Sequence, residues 1–176
     1  MRYQFSKKRG MSGEVRAEPR PTETELEEFY SKIYYSDNVT TTYSTQYTED
    51  EILQKKLRSE VIITSILQNK PLNSIESALE IGSGEGFTLN TAVKLGLPIS
   101  GVDYQLDPVM RYNPQILEKF IPTDPNKYLK KLIENNENYD VLILQNVLEH
   151  VIDPENLLAK LKKILSPEGI IFVQIP

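Results

Sequence analysis

No cysteine occurs in the 176 residues. That excludes a disulfide scaffold, a thiolate nucleophile and a zinc–thiolate site within this stretch. His150 is the single histidine, so a three-histidine metal site is impossible. No apolar run approaches the length of a bilayer span, and the N-terminus lacks the apolar centre of a signal peptide. Positive charge is also short: 20 Lys and Arg stand against 25 Asp and Glu, for a net charge of -5 and a pI of about 5.1. Such a balance gives no general electrostatic reason to bind nucleic acid or a membrane surface. The exception is local. Lys7, Lys8, Arg9, Arg16 and Arg20 crowd the first twenty residues and read as a solvated terminus. The expectation is a soluble, cytoplasmic chain with one hydrophobic core and a small-molecule partner, with neither nucleic acid nor membrane as partner.

What is present falls into two parts. Residues 1–70 form an N-terminal helical segment, and 71–176 form the ligand-binding domain. In the first part, Thr22–Tyr35 reads as a short helix with an acidic first turn and an apolar face of Leu26, Phe29, Tyr30 and Ile33. Residues 36–47 read as an extended loop. Thr48 and Glu51 fit a capping box opening a helix to Gln68, with Ile52, Leu53, Leu57, Val61, Ile62 and Ile66 as its buried set. From Ile75 onward short apolar runs alternate with helices. The runs lie at 77–81, 99–103, 119–121, 139–145 and 169–175, and the helices at 86–95, 126–136 and 155–165. Alternation of this kind predicts an α/β fold: a doubly wound, mostly parallel, Rossmann-like sheet with N-terminal helices beside it. Between Asp103 and Lys119, Pro108 and Pro114 leave room for only a short or irregular helix. The fifth run ends at the end of the sequence. The reading therefore expects further C-terminal strands in a longer protein.

Chemistry concentrates at three places. Leu79-Glu-Ile-Gly-Ser-Gly-Glu-Gly86 joins a strand to a helix through Gly82, Gly84 and Gly86. Glycines there let backbone approach a ligand closely, and the context of strand before and helix after gives the pattern its meaning. Ser83, the Gly84–Gly86 backbone and the amide of Phe87 are the ligand-facing candidates. Asp103 follows Gly82 by twenty-one residues, the distance at which a carboxylate accepts from ribose hydroxyls. This pairing points to S-adenosylmethionine or a dinucleotide. Glu80 sits in the strand-to-loop join, where a carboxylate is costly without partners. It either accepts from neighbouring loop amides or meets the ligand's cationic amino group. Tyr104 and Leu106 offer apolar contact beside Asp103. Asp124 is a candidate for the adenine amino group, with Asn126 as competitor.

The third place follows the fourth run. Gln145 and Asn146 end it beside the ligand crevice, Val147–Val151 makes a short turn, and Asp153 with Pro154 opens the next helix. His150 stands where an acceptor hydroxyl would lie. It either acts as general base or, with Glu149, stabilises the turn.

Taken together, Leu79–Gly86, Gly101-Val-Asp103, Tyr139–His150 and Ser166–Pro176 resemble the class I S-adenosylmethionine-dependent methyltransferases, over roughly Ser77 to Pro176. The resemblance implies S-adenosylmethionine as cofactor and direct transfer of its methyl group to a nucleophilic atom. The dinucleotide pattern G-x-G-x-x-G is absent, which disfavours a nicotinamide-dependent oxidoreductase or epimerase. An intact glycine turn with Asp103 disfavours a non-catalytic relative. Pro19-Arg-Pro21 and the helix after it resemble the segment preceding the domain in bacterial enzymes acting on sugars. That implies a hydroxyl of a sugar, sugar nucleotide or glycan precursor as acceptor, in a polysaccharide pathway. The tyrosines of the first part, Tyr30, Tyr34, Tyr35, Tyr43 and Tyr47, would fold over the crevice as a lid or pack the helices.

Overall fold

The computed structural model describes residues 6–9, 15–34 and 46–176. The expected loop at 36–47, but for its last two residues, and the lid tyrosines Tyr35 and Tyr43 lie outside the described residues. The chain opens with β1 (Ser6–Arg9) and β2 (Val15–Glu18), paired antiparallel with Lys8 opposite Arg16. In sequence these residues read as a solvated terminus. Ser6–Arg9 is wholly polar, and Val15–Glu18 alternates over only four residues, too short a run to announce a strand.

Helix α1 (Glu23–Glu28) starts at Thr22, whose hydroxyl accepts from the Glu25 amide while Glu25 accepts from the Thr22 amide. It runs directly into a π-helical turn over Phe29–Ile33. Helix α2 (Glu49–Asn69) begins with the expected Thr48–Glu51 capping box, and Glu49, Asp50 and Glu51 sit at the positive end of its dipole. Its buried face is Ser59, Ile62, Ile63 and Ile66. This corrects the expected set. Leu53, Leu57 and Val61 lie half or more exposed, at 54, 51 and 66 %. Both stripes fit helical spacing. Contact with the sheet selects the second, centred on Ile62 and Ile63.

The main sheet is wholly parallel. It comprises β3 (Ala78–Ile81), β4 (Ile99–Asp103), β5 (Phe120–Pro122), β6 (Tyr139–Gln145) and β7 (Leu165–Gln174), in the order β5-β4-β3-β6-β7. The connections are α3 (Phe87–Lys94), the short α4 (Asp107–Tyr112) with a 3-10 turn at Pro114–Lys119, α5 (Pro125–Glu134) and α6 (Pro154–Lys163). Asp153 caps α6 by accepting from the Asn156 amide, with Pro154 at the first helical position. The last strand starts at Leu165, four residues before the expected Gly169. Tyr139 pairs with Leu165 and Val141 with Ile170, so residues 166–169 form an irregularity that reads in sequence as a turn.

Strand periodicity distributes the core. Ala78, Val141 and Ile143 face α2 and α3, while Leu79, Ile81, Leu142 and Leu144 face α5 and α6. Parity therefore puts Glu80 on the α2–α3 side. The chain winds from β3 outward to β5 and then returns to β6 and β7. The winding direction reverses between β3 and β6, and a crevice opens at their carboxyl ends. Among the described residues no helix is long and apolar enough to cross a membrane.

Candidate functional site

A cavity of about 550 Å³ occupies that crevice. Its floor is the β3–α3 turn. Gly82, Gly84 and Gly86 have φ of 73°, 52° and 75°, the left-handed region that only glycine adopts freely. Gly82, Ser83, Gly84, Glu85 and Phe87 line the cavity. Gly86 does not. A Cβ there would stand 2.8 Å from Ile116 Cδ1 and 3.3 Å from Val109 Cγ2, so this glycine serves packing of the turn against the chain after β4.

Asp103, at the end of β4, is 8 % exposed and holds the turn in place. One carboxylate oxygen accepts from the Gly84 amide at 2.8 Å and the other from the Tyr104 amide at 2.6 Å. Each oxygen keeps a further lone pair for a ligand hydroxyl. Burial pushes this carboxyl up to about 6, against the lowering effect of the two amides. Glu80 is 2 % exposed and also lines the cavity. Burial first, then the neighbouring Asp103, raises it to about 8. Its Oε2 has no hydrogen-bond partner. A backbone amide does reach this carboxylate, that of Leu89 in the first turn of α3, and it opposes the rise while leaving Oε2 open. A buried acceptor without a partner beside a ligand-sized cavity invites a donor from the ligand.

Glu85, unassigned by the sequence reading, is a junction. Its carboxylate accepts from Tyr47 Oη at 2.5 Å and pairs with Lys55 Nζ at 3.3 Å, and its carbonyl accepts from Asn113 Nδ2 at 2.8 Å. The Lys55 ammonium lies over the Tyr47 ring, 4.3 Å from its centroid. Lys55 and Arg58 bring two cations from α2 to the cavity wall. Gln145 and Asn146 also line it. Asn146 has a positive φ of 53°, and its Oδ1 is buried without a partner.

Asp124 is placed elsewhere. Its Oδ1 caps α5 by accepting from the Asn126 amide at 2.8 Å, and it does not line the cavity. Asn126, its competitor in the sequence, does, with Tyr104, Pro125 and Leu129. His150 lines the mouth, its side chain 47 % exposed, with Nε2 3.8 Å from Glu149 Oε1. Tyr30 meets the His150 ring edge-on and stacks over Tyr104 at 6.2 Å.

The N-terminal segment covers this mouth at several anchors. Arg20 donates to the Ile152 carbonyl at 3.0 Å, Gln105 donates to the Tyr30 carbonyl at 3.0 Å, and Lys127 pairs with Glu27 at 2.7 Å. Glu23, Leu26, Tyr30 and Tyr34 thereby become lining residues. Tyr30 and Tyr34 are among the tyrosines that the sequence offers as a cover; Glu23 and Leu26 reach the site through tertiary packing alone.

Comparisons with known proteins bear on this site. The chain is 27% identical over 108 residues to a ubiquinone biosynthesis O-methyltransferase of Pasteurella multocida, covering 55% of this chain and 45% of that protein. A ubiquinone biosynthesis O-methyltransferase of Colwellia psychrerythraea is 28% identical over 96 residues, covering 53% and 39%. The chain thus spans a little under half the length of these curated relatives. Among solved structures, the plantazolicin methyltransferase BpumL in complex with a monoazolic desmethylPZN analog and SAH matches with a TM-score of 0.54. It is 25% identical, with 70% of this chain and 48% of that one covered. A SAM dependent methyltransferase from Archaeoglobus fulgidus matches in fold, with a TM-score of 0.54, 22% identity and coverage of 73% and 59%. Residues 50–176 match a family model described as a methyltransferase domain. The chain belongs to that methyltransferase family.

Proposed function

We propose that the chain binds S-adenosylmethionine in the crevice and directs its methyl group to a small-molecule acceptor. The observation carrying this reading is the pair of buried carboxylates at adjacent strand ends. Asp103 has lone pairs left for ribose hydroxyls, and Glu80 has an unpartnered oxygen suited to an ammonium. When bound, the cofactor supplies an activated methyl on a good leaving group. The residues of the chain bind and align. Gly82, Ser83 and Gly84 permit close backbone approach. Lys55 and Arg58 offer charge to a carboxylate, and Tyr104, Pro125 and Leu129 offer apolar contact to a purine, with Asn126 beside them as a hydrogen-bonding group. Alignment of two reactants is the main contribution such a site makes.

The acceptor side is read from Tyr30, Tyr34 and His150. In this reading His150 takes a proton from a hydroxyl as it attacks, which makes oxygen the favoured acceptor atom. The name borne by the ubiquinone biosynthesis relatives supports an O-acceptor. A sugar or glycan precursor remains the finer proposal, resting on the Pro19–Tyr35 segment. Two tyrosine rings stack on the apolar face of a sugar as readily as on an aromatic ring. In this reading residues 1–70 supply the cover and 71–176 the cofactor fold.

The test is calorimetric titration with S-adenosylhomocysteine, beside NAD, on the wild type and Asp103→Ala. The expected result is binding of the homocysteine compound and none of NAD. The substitution removes the charged hydrogen bonds to ribose and to the Gly84 amide, each in the range of about 1.5–3 kcal/mol, so affinity falls at least tenfold. A folded wild type that binds NAD instead, or neither ligand, ends the proposal.

A further inference from the structure

Gln145 ends β6, and its side chain is held from behind. Thr88 Oγ1, in the first turn of α3, donates to Gln145 Oε1 at 2.7 Å. The same hydroxyl lies 3.2 Å from Ser59 Oγ, which in turn lies 2.8 Å from the carbonyl of Lys55 on α2. Thr88 and Ser59 are 2 and 1 % exposed, so bulk water serves neither hydroxyl. Four polar groups thus stand in one line of close contacts from α2, through α3, to the cavity.

Each hydroxyl has a single proton and the Lys55 carbonyl only accepts, so the amide of Gln145 sets the order of the line. In the first order, Thr88 donates to the amide oxygen of Gln145, Ser59 gives its one proton either to Thr88 or to the Lys55 carbonyl, and the two N–H donors of Gln145 are free. In the second, Gln145 donates to Thr88, Thr88 to Ser59 and Ser59 to the Lys55 carbonyl, and the amide oxygen is free. Carboxylates of Glu80 and Asp103 and cations of Lys55 and Arg58 line the same cavity, so the amide orientation decides which kind of ligand atom Gln145 can meet. The structure has Thr88 Oγ1 on the amide oxygen, which is the first order, and Gln145 then faces the cavity with its donors.

We propose that Thr88 is a positioning residue. It fixes the amide of Gln145 with its amino end available, so that Gln145 donates to an oxygen of the bound ligand. This assignment rests on the cofactor reading above.

The test compares Thr88→Val, of the same shape without the proton, with Thr88→Ser, and adds Ser59→Ala. Two quantities are read: the dissociation constant for S-adenosylhomocysteine, and the side-chain amide resonances of Gln145 in the ligand-free protein. The expected result for Thr88→Val is about tenfold weaker binding and displaced Gln145 resonances, the scale of one hydrogen bond to a charged or buried group. Thr88→Ser restores both to within about twofold, and Ser59→Ala falls between. Unchanged Gln145 resonances in Thr88→Val, or equal weakness of the Ser and Val variants, overturn the assignment. A wild type that ignores S-adenosylhomocysteine overturns the cofactor reading instead, and the ligand-free resonances still decide the role of Thr88.

Discussion

Glu80→Gln is expected to remove most of the pH dependence of stability above pH 6 and to weaken S-adenosylhomocysteine binding at pH 8 by ten- to a hundredfold. The sign follows from which state holds the proton. In the unfolded chain Glu80 titrates near 4.5, and in the fold near 8. Between these values the native state binds the extra proton, so stability falls as pH rises and levels off above about 8. Asp103, raised from 3.8 to about 6, acts in the same direction but finishes lower. Hence both carboxyls contribute to the decline from pH 4.5 to 6, and Glu80 alone from 6 to 8. One proton corresponds to about 1.4 kcal/mol per pH unit, so the upper window costs on the order of 2 kcal/mol. Urea unfolding at pH 6, 7 and 8 reads this directly. A wild-type stability that rises across that window contradicts it.

The ligand adds a second readout. An ammonium meeting Glu80 favours the ionised carboxylate, so binding below pH 8 releases a proton, and affinity increases with pH up to tenfold per unit. Glutamine has no proton to release and makes no charged hydrogen bond, which is worth about 1.5–3 kcal/mol. Calorimetry in two buffers of different ionisation enthalpy measures the proton count. Equal counts for the wild type and Glu80→Gln would place the ammonium elsewhere.

How much of this was legible beforehand varies by cause. The parallel sheet was, because β3, β4 and β6 are buried on both faces and write nearly continuous apolar runs. The Thr48–Glu51 cap and the Asp153–Pro154 start were legible because capping is local chemistry. Glu80 and Asp103 stood out by their spacing from the glycines. Asp124 was ambiguous because a carboxylate after a strand serves a ligand or a helix cap equally well, and only coordinates show the Asn126 amide bonded to one oxygen and Tyr104 beside the carboxylate. Leu53, Leu57 and Val61 misled for the opposite reason: helical spacing identifies a stripe, and what the stripe faces is decided elsewhere in the chain. Lys55, Arg58, Ser59 and Thr88 were silent. Their functional setting is made by α2 crossing α3, a contact between residues about thirty positions apart.

The three glycines of the turn are alike in sequence and in φ, yet Gly82→Ala and Gly86→Ala are expected to fail differently. Either substitution forces a side chain into the left-handed region, at about 1–2 kcal/mol. Each new methyl also meets a packed neighbour, Val147 for Gly82 and Ile116 for Gly86, adding about 1–3 kcal/mol of overpacking. Both variants should therefore lose roughly 2–5 kcal/mol of stability. Gly82 lines the cavity and Gly86 does not. A methyl at 82 stands where the ligand must approach, and it pushes Val147 and the loop carrying His150. S-adenosylhomocysteine binding should drop by at least about a hundredfold, the equivalent of about 2.7 kcal/mol. A methyl at 86 presses instead on Val109 and Ile116, behind the turn, and folded protein should bind within about threefold of the wild type, a difference of about 0.7 kcal/mol. Thermal unfolding and calorimetry on the two variants separate stability from affinity. If Gly86→Ala loses affinity as completely as Gly82→Ala while remaining folded, then the turn acts as one rigid unit, and the division between a binding glycine and a packing glycine does not hold.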